Sequence, residues 1–479
     1  VIAVNGTDDL NQLRRMAAAK LDWQAGRAMF YQQYYDLEAG IIALLDQDER
    51  QVFRKFLVES GANWAELITN AVAERLHVVG FRFDDDDAGD AAWAIWQDNS
   101  MDADSELVML DSLVQGSSYV LVQADNDQPS GVSISPESAM QATVLYEPGS
   151  RRKRIAGYKR YSADAWSYEE QSPLAASMSN RVEVLILPDQ IVTWHPGAAQ
   201  NDPVIERNPA GVVGLVEMTP QPRTLGPPRS ELHSVIPFQD RVQTTIFNRL
   251  VATDFGAFRT IWASGIKVAR DVIKTDSSGT VQQVVRPFDL GANRLLANEN
   301  PDGKFGAFPG DPLTGYLAAV AQDVEHLSAI TQTPPWYLTG TMINLAADAI
   351  KAAEAGLVAK AGKRARFLGE SWEEVARLSL AIVGNAASAD SSAEVVWADM
   401  ETRSIAQLVD ALVKLDTIGV PQEVLWQKFG ATPQEIEEWK EIKAAEPKPP
   451  PPVVVAPPTV PGTGGVPTPP PTPEPASAQ

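Results

Sequence analysis

Four histidines are the first residues to test for chemistry: His77, His195, His233 and His326, none within metal-ligand spacing of another. No H-E-x-x-H pair is present, so each imidazole is expected to pack or to hydrogen-bond within the fold. The chain has no cysteine, which removes disulfides, thiolate nucleophiles and cysteine-held zinc together. A G-x-S-x-G elbow is also missing, so a serine-hydrolase reading has no anchor. Gly356–Lys363 comes nearest to a phosphate loop. Five residues separate its glycines, however, and Arg364 stands where Ser or Thr is required. The segment also lies inside a helical pattern, where a phosphate cradle cannot form.

Three charged clusters remain. Asp84–Asp87, with Asp90 beyond, sets four carboxylates side by side. Such a run can bind a divalent cation, but the charges repel one another and no further ligand stands nearby, so a solvated loop is expected. Arg151, Arg152, Lys153 and Arg154 form the one tight basic cluster and are expected at a solvated hairpin tip, with nucleic-acid contact as the alternative. Lys351, Lys360, Lys363, Arg364 and Arg366 gather on a long helical pattern. They suit ordinary surface pairs with acids on neighbours, or contact with a polyanion from inside an assembly. No catalytic constellation emerges and no cofactor is implied; the expectation is a non-enzyme.

The charge balance points the same way. Forty basic residues stand against 62 acidic ones in 479, for a net −22. Tight DNA binding needs clustered Lys and Arg to neutralise phosphate, so so acidic a chain is a poor candidate for it. Acidity serves solubility by default; its sharper reading is a surface that DNA passes without sticking. With 44% hydrophobic residues most of the chain can bury a core, and the length suits about three domain-sized units. No run approaches about eighteen apolar residues and no signal pattern opens the chain, so a soluble, non-exported protein is expected, with no membrane association. The lack of cysteine fits a reducing compartment. Val1 in place of methionine suggests a processed or trimmed start.

The elements that must position these residues are α+β and mainly helical. Residues up to about 115 read as helices, one of them capped by Asn63 and carrying Trp64, Leu67, Ile68, Ala71, Val72 and Leu76 on one side. From 116 to about 214 the pattern turns to strands: Tyr119–Val122, Thr143–Tyr146, Ile155–Tyr161, Val182–Leu187 and Gln190–Trp194. Ser135-Pro136-Glu137 reads as a short helix start, and Pro196–Pro228 as a long connector. A helix at 230–255 carries Val242, Ile246, Leu250 and Val251. A second opens at Asp311-Pro312 and carries Leu313, Leu317, Val320, Val324 and Leu327. Between them lie strand-like runs at Thr260–Trp262 and Val281–Val285, with turns at Asp276–Gly279 and Asn300–Gly303. The loop Thr333–Gly340 is expected to be non-helical at its prolines and to expose bulky apolar groups. A helix from Ala346 to Gly384, a break at Ser388–Ser392 and a strand at Val395–Trp397 follow. Two capping boxes then mark a small helical unit, Ser404 with Gln407 and Thr432 with Glu435. The proline-rich tail from 447 to 479 cannot bury a core and is expected to be extended or disordered; its P-x-x-P spacing could also dock a partner.

Several phrases in this order carry a family resemblance. They are Tyr34-Tyr35-Asp36, Asn63-Trp64 leading into Ala73-Glu74-Arg75-Leu76, Val79-Gly80-Phe81-Arg82, and Trp96-Gln97-Asp98-Asn99. Later come Pro334-Pro335-Trp336-Tyr337-Leu338-Thr339-Gly340, Ala347-Asp348-Ala349-Ile350, Ala353-Glu354 and Gly369-Glu370-Ser371-Trp372-Glu373-Glu374, then Trp397-Ala398-Asp399 and Ser404-Ile405-Ala406-Gln407. Over residues 10–443 the chain resembles portal proteins of tailed bacteriophages, particularly long-tailed phages of actinobacteria. Leu37 departs from the pattern, since glycine is expected after Tyr-Tyr-Asp.

The resemblance implies a head-to-tail connector ring of about twelve copies around a central channel. Residues 1–229 would form a wing, helical first and then β-rich. Residues 230–258 and 311–331 would be the two stem helices, packing through Val242, Ile246, Leu250, Leu313, Leu317, Val320, Val324 and Leu327. Residues 259–310 would be the clip. Residues 332–345 would be a tunnel loop lining the channel through Thr333, Pro334, Pro335, Trp336, Tyr337, Leu338, Thr339 and Asn344. Residues 346–401 would complete the wing with the long helix, 402–446 would form the crown, and 447–479 the tail. Lys351, Lys360, Lys363, Arg364 and Arg366 become candidates to face DNA. The implied partners are the major capsid protein, the terminase large subunit, a head-to-tail adaptor, a scaffolding protein and double-stranded DNA. The implied place is the capsid vertex of the virion, after assembly in the bacterial host cytoplasm. Two other classes stay open: a metal-dependent nucleic-acid-processing enzyme built on Asp84–Asp87, and a non-channel scaffold acting through the wing and the proline tail.

Overall fold

Apolar residues three and four apart on the first helix meet a β-sheet, and that contact sets the first layer of the computed structural model. The structure describes residues 7–39, 55–56, 58–163, 180–196, 203–257, 261–264, 270–275, 281–285, 302–307, 313–340, 347–401, 405–431 and 433–445. Helix α1 (Thr7–Tyr35) turns Leu10, Leu13, Ala17 and Leu21 onto Leu145, Tyr158, Leu185 and Trp194. It ends at Leu37, whose φ of 59° is left-handed. The amide of Glu38 then closes onto the carbonyl of Gln33 at 2.8 Å. This is where the sequence puts leucine in place of an expected glycine, and the turn keeps the glycine conformation, at a cost of roughly 1–2 kcal/mol for a residue with a Cβ.

Helix α2 (Trp64–Ala73) starts as expected: Asn63 Oδ1 accepts the Glu66 amide at 3.2 Å. Strand β1 (Val78–Arg82) follows and interrupts the expected helical stretch. Helix α3 (Asp86–Asp98) comes next, and here the acidic run departs from the expectation of a loop. Asp85 caps the helix by accepting the Asp87 amide at 3.3 Å, so the run spans a helix start. Carboxylates gather there because the exposed amides and the helix dipole favour negative charge.

Helix α4 (Met101–Gln115) leads into β2 (Ser118–Ala124), β3 (Val132–Glu137), β4 (Ala142–Tyr146), β5 (Arg154–Ser162), β6 (Arg181–Ile186), β7 (Gln190–Trp194), β8 (Val204–Arg207) and β9 (Leu215–Met218). These form a three-stranded sheet of order β3-β2-β9 and a five-stranded meander running from β4 to β8. Two expectations are corrected. Ser135-Pro136-Glu137 ends strand β3, with Pro136 opposite Val120. Proline is tolerated there because β3 is an edge strand. The segment Pro196–Pro228 contains β8 and β9. Strand β9 reaches β2 because Gly214 lets two backbones meet: a Cβ at Gly214 would lie 2.1 Å from the carbonyl oxygen of Val122.

Helix α5 (Ile236–Ala257) and helix α6 (Thr314–Thr331) bracket β10 (Ile261–Ser264), β11 (Arg270–Thr275), β12 (Val281–Val285) and β13 (Lys304–Ala307). Strand β10 pairs with β13 and β11 with β12, both antiparallel, so the excursion closes back on its own neck. Its expected turn at Asp276–Gly279 lies outside the described residues. After the short helix α7 (Pro335–Thr339) comes α8 (Ala347–Ile382), 36 residues long. At about 1.5 Å per residue it spans roughly 54 Å.

Strand β14 (Glu394–Trp397) returns to pair with β1. Trp372 of α8, fully buried, meets Trp96 edge-on at 5.0 Å, and Trp96 stacks on Trp93 at 6.0 Å. Residues far apart in sequence, on α3 and α8, thus share the largest core. Helices α9 (Ile405–Thr417) and α10 (Gln422–Phe429) close the compact unit Val1–Pro433. The remaining unit, Gln434–Gln479, carries most of helix α11 (Pro433–Ala445). The capping residues Ser404 and Thr432 and the tail from 447 lie outside the described residues. Among the described residues no helix is long and apolar enough to cross a membrane.

One half-buried carboxylate works against the fold. Burial, with the Asp36 carboxylate close by, raises Asp111 from 3.8 to about 6. A carboxyl that binds its proton more tightly when folded destabilises the fold above its folded value and regains that stability as pH falls. Asp111→Asn should therefore stabilise the chain near pH 7, by up to about 3 kcal/mol, with the gain vanishing below about pH 4. Urea unfolding midpoints across that range check this.

Candidate functional site

One ion pair links the two helices of the pair. Arg241 Nη2 lies 2.6 Å from Asp323 Oδ1, and Arg241 Nε donates to Asp323 Oδ2 at 3.0 Å. This bidentate grip fixes both rotation and height. Around it Val324 and Leu327 of α6 join Tyr31, Tyr34, Ile68, Val114, Leu232 and Val235 in a core. Val242 is buried; Ile246, Leu250 and Val320 are half-buried. The far end of the row differs: Leu313 is 36% exposed and Leu317 52%. The expected cap Asp311-Pro312 lies outside the described residues, and α6 begins at Thr314 without a side-chain cap.

The segment after α6 corrects another expectation. Gln332 adopts φ 58° and turns the chain, then Ser328 Oγ donates to the Thr333 carbonyl at 2.6 Å. Pro334 is extended and Pro335 opens the single-turn helix α7. Proline at a first helical position costs nothing, because the amide it lacks would have no partner there. Thr333, Pro334 and Leu338 are buried, Trp336 and Tyr337 half-buried, and Pro335 and Thr339 exposed. The Tyr337 hydroxyl accepts from Arg75 Nη2 at 3.0 Å and donates to Glu354 Oε1 at 3.3 Å, so the turn is tied to α2's end and to α8. Asn344 lies outside the described residues.

The basic row on α8 divides in two. Lys351, Lys363 and Arg366 are exposed. Lys360 and Arg364 turn inward onto Glu231, which sits in a short 3-10 turn just before α5. Lys360 Nζ lies 2.9 Å from Glu231 Oε2 and also donates to the Thr331 carbonyl at 3.1 Å. Arg364 Nε donates to Glu231 Oε1, and Gln221 Nε2 donates to the same oxygen at 2.6 Å. Burial alone would push the Glu231 carboxyl up; the charges and hydrogen bonds of Lys360 and Arg364 outweigh it and hold the group below its ordinary value. Three elements meet here: the start of α5, the end of α6 and the middle of α8. Glu231 is the residue sequence reasoning missed. The signal was available, since Lys360 and Arg364 share the spacing of the buried Leu357, Ala361, Ala365 and Leu368. Cations at those positions require an acid facing them.

Among the described residues no group of three or more His, Cys, Asp or Glu is placed to hold a metal ion. A helix pair flanks a small β-excursion in sequence, and the long helix α8 is pinned to the start of one and the end of the other.

The chain belongs to the phage portal protein family of the SPP1 Gp6-like type, whose pattern it matches over residues 19–448. That family is structural, and the chain is accordingly a structural protein of the virion. It is 28% identical over 406 residues to the portal protein of Mycobacterium phage D29, covering 80% of this chain and 79% of that protein. It is 27% identical over 469 residues to the portal protein of Mycobacterium phage L5, covering 92% and 91%. A chain from the virion of a native gene transfer agent particle superposes with a TM-score of 0.40 at 11% identity, covering 77% of this chain and 88% of that one.

Proposed function

We propose that this chain is the subunit of a ring of about twelve copies that conducts double-stranded DNA through one capsid vertex. The observation that carries this reading is the half-covered apolar row on α6. Val324 and Leu327 are buried within the subunit, while Leu313 and Leu317 continue the row into solvent. A neighbouring copy that covers them completes the row, as a heterologous contact repeated around a closed ring requires. In this reading α5 and α6 are the stem. The excursion β10–β13 is the clip that meets the terminase motor and later the head-to-tail adaptor, and Pro335, Trp336 and Thr339 face the channel. Wing, crown, capsid and scaffold contacts follow the same assignment. The motor supplies the energy.

Electrostatics supports a conduit over a grip. Copies of a chain carrying −22 repel phosphate along the wall, whereas tight neutralising contacts would release counterions and hold the duplex. Lys351, Lys363 and Arg366 are the exposed cations on α8, placed in this reading for brief contact with DNA. Changing these three to alanine should leave ring assembly intact and alter DNA packaging or retention by at least about twofold, losing up to three phosphate contacts per copy. Unchanged packaging and retention in particles carrying the triple variant would remove them from the DNA path. The metal-dependent enzyme reading gains nothing from Asp84–Asp87, which spans a helix start.

A further inference from the structure

In a chain of net charge −22, one cleft in the β-rich half is strongly basic. It encloses about 1030 Å³ and is lined by Arg27 of α1, Arg151 and Arg152 of the β4–β5 hairpin, Arg223 of the segment after β9, and Arg377 of α8. A second cavity of about 310 Å³ shares Arg27, Arg223, Pro227 and Pro228 with it and adds Arg229. Together they make a groove rather than a round pocket. Arg151, Arg152, Arg223 and Arg377 make no ion pair among the described residues, in contrast to Arg154 beside them, which pairs with Glu374 at 2.5 Å. The positive potential is felt next door: burial, then Arg229, Arg27 and Arg223, hold His233 below its ordinary value.

The lining narrows what would fit. Glu217, Glu370 and Glu374 stand in the same wall, so a continuous phosphate backbone would meet carboxylates along its length. Trp23, 56% exposed with the Arg27 guanidinium 5.0 Å from its ring, and Phe367, 40% exposed, form apolar shoulders. Alternating arginine, carboxylate and aromatic surface suits a peptide of mixed acidic and apolar side chains, each carboxylate gripped by a guanidinium fork. The Asp84–Asp87 run and the proline-rich tail of this chain are poor sources of that peptide. Its acidic run is built into a helix start, with Asp84 accepting from Ser392 Oγ at 2.9 Å and Asp85 capping α3. The segment 447–479 carries a single acid, Glu474.

We propose that this groove docks an extended acidic peptide segment of a different polypeptide, with Arg151, Arg152 and Arg223 gripping its carboxylates and Trp23 its apolar side chains. The proposal stands on the groove alone and does not need the ring. The test uses the full chain and a fluorescein-labelled peptide of Asp-Glu-Leu repeats, roughly ten residues long and extended at about 3.3 Å per residue. Anisotropy should report saturable binding that weakens as salt rises through about 0.15 M. Combined Arg151→Glu, Arg152→Glu and Arg223→Glu should weaken it at least about tenfold, while Arg207→Glu, on exposed β8, leaves it unchanged. Arg151→Ala with Arg152→Ala repeats the comparison should the triple variant lose its circular-dichroism signature. Absence of binding, or binding untouched in the groove variants, overturns the proposal. So does single-stranded oligothymidylate displacing the peptide with equal affinity, which would reassign the groove to nucleic acid.

Discussion

Glu231→Ala is expected to destabilise the subunit by about 3–5 kcal/mol, because it strands two cations in a buried site. Among the described residues Lys360 and Arg364 have no second carboxylate bonded to them, and both side chains are at most 10% exposed. The damage is directed. Glu231 precedes α5, Lys360 holds the last carbonyl of α6, that of Thr331, and both bases belong to α8, so the variant should loosen the helix pair from the long helix. Combined Glu231→Leu, Lys360→Met and Arg364→Leu should recover most of the loss, since removing a whole buried charge set is often neutral where removing one partner is not. The pH dependence has a definite sign. A carboxyl held below its ordinary 4.5 by folding contributes stability that is present above that value and lost as pH falls through the folded value. Urea midpoints measured down to about pH 3 should fall in the native protein and stay flatter in the triple variant. A single-alanine loss below about 1 kcal/mol would show that the site is solvated and does not pin the helices.

Leu313→Asp with Leu317→Asp is expected to abolish assembly while sparing the subunit. In the single chain both side chains already meet water, so unfolding free energy should move by no more than about 0.5 kcal/mol. In the proposed ring each leucine is worth about 1.5–3 kcal/mol of burial at every contact, and aspartate would add an unpaired buried charge. Association should weaken by more than about a hundredfold. Sedimentation velocity then separates a folded monomer from rings of the parent chain. Assembly unimpaired by the double substitution would mean that the exposed end of α6 is not the face a neighbour covers.

The most legible parts of the fold were those where period and cap agree. Asn63 as a cap placed α2, the β-rich runs Tyr119–Val122 and Gln190–Trp194 placed strands, and the length of α8 followed from its unbroken helical spacing. Proline misled twice, and for one reason. Pro136 sits on a sheet edge and Pro335 at a first helical position, two places where the missing amide has no partner to lose. Strands β8 and β9 are four residues each and embedded in proline and glycine, so only their neighbours define them. The charged sites were the least legible. Lys360 and Arg364 were visible as bases, but their acid lies more than a hundred residues earlier. The basic cleft gathers arginines from α1, a hairpin tip, a connector and α8, and of these only Arg151 and Arg152 stood out in the sequence. Leu37 shows the converse: a mismatch in residue type marked a left-handed turn that the backbone keeps.

The ring itself is tested most directly by electron microscopy of the purified chain and, where it remains monomeric, of the chain within phage particles. The account predicts a closed ring of about twelve subunits with a continuous axial channel that admits a DNA duplex, the exposed end of α6 lying against the neighbouring copy. A compact oligomer without a channel at the particle vertex would contradict it.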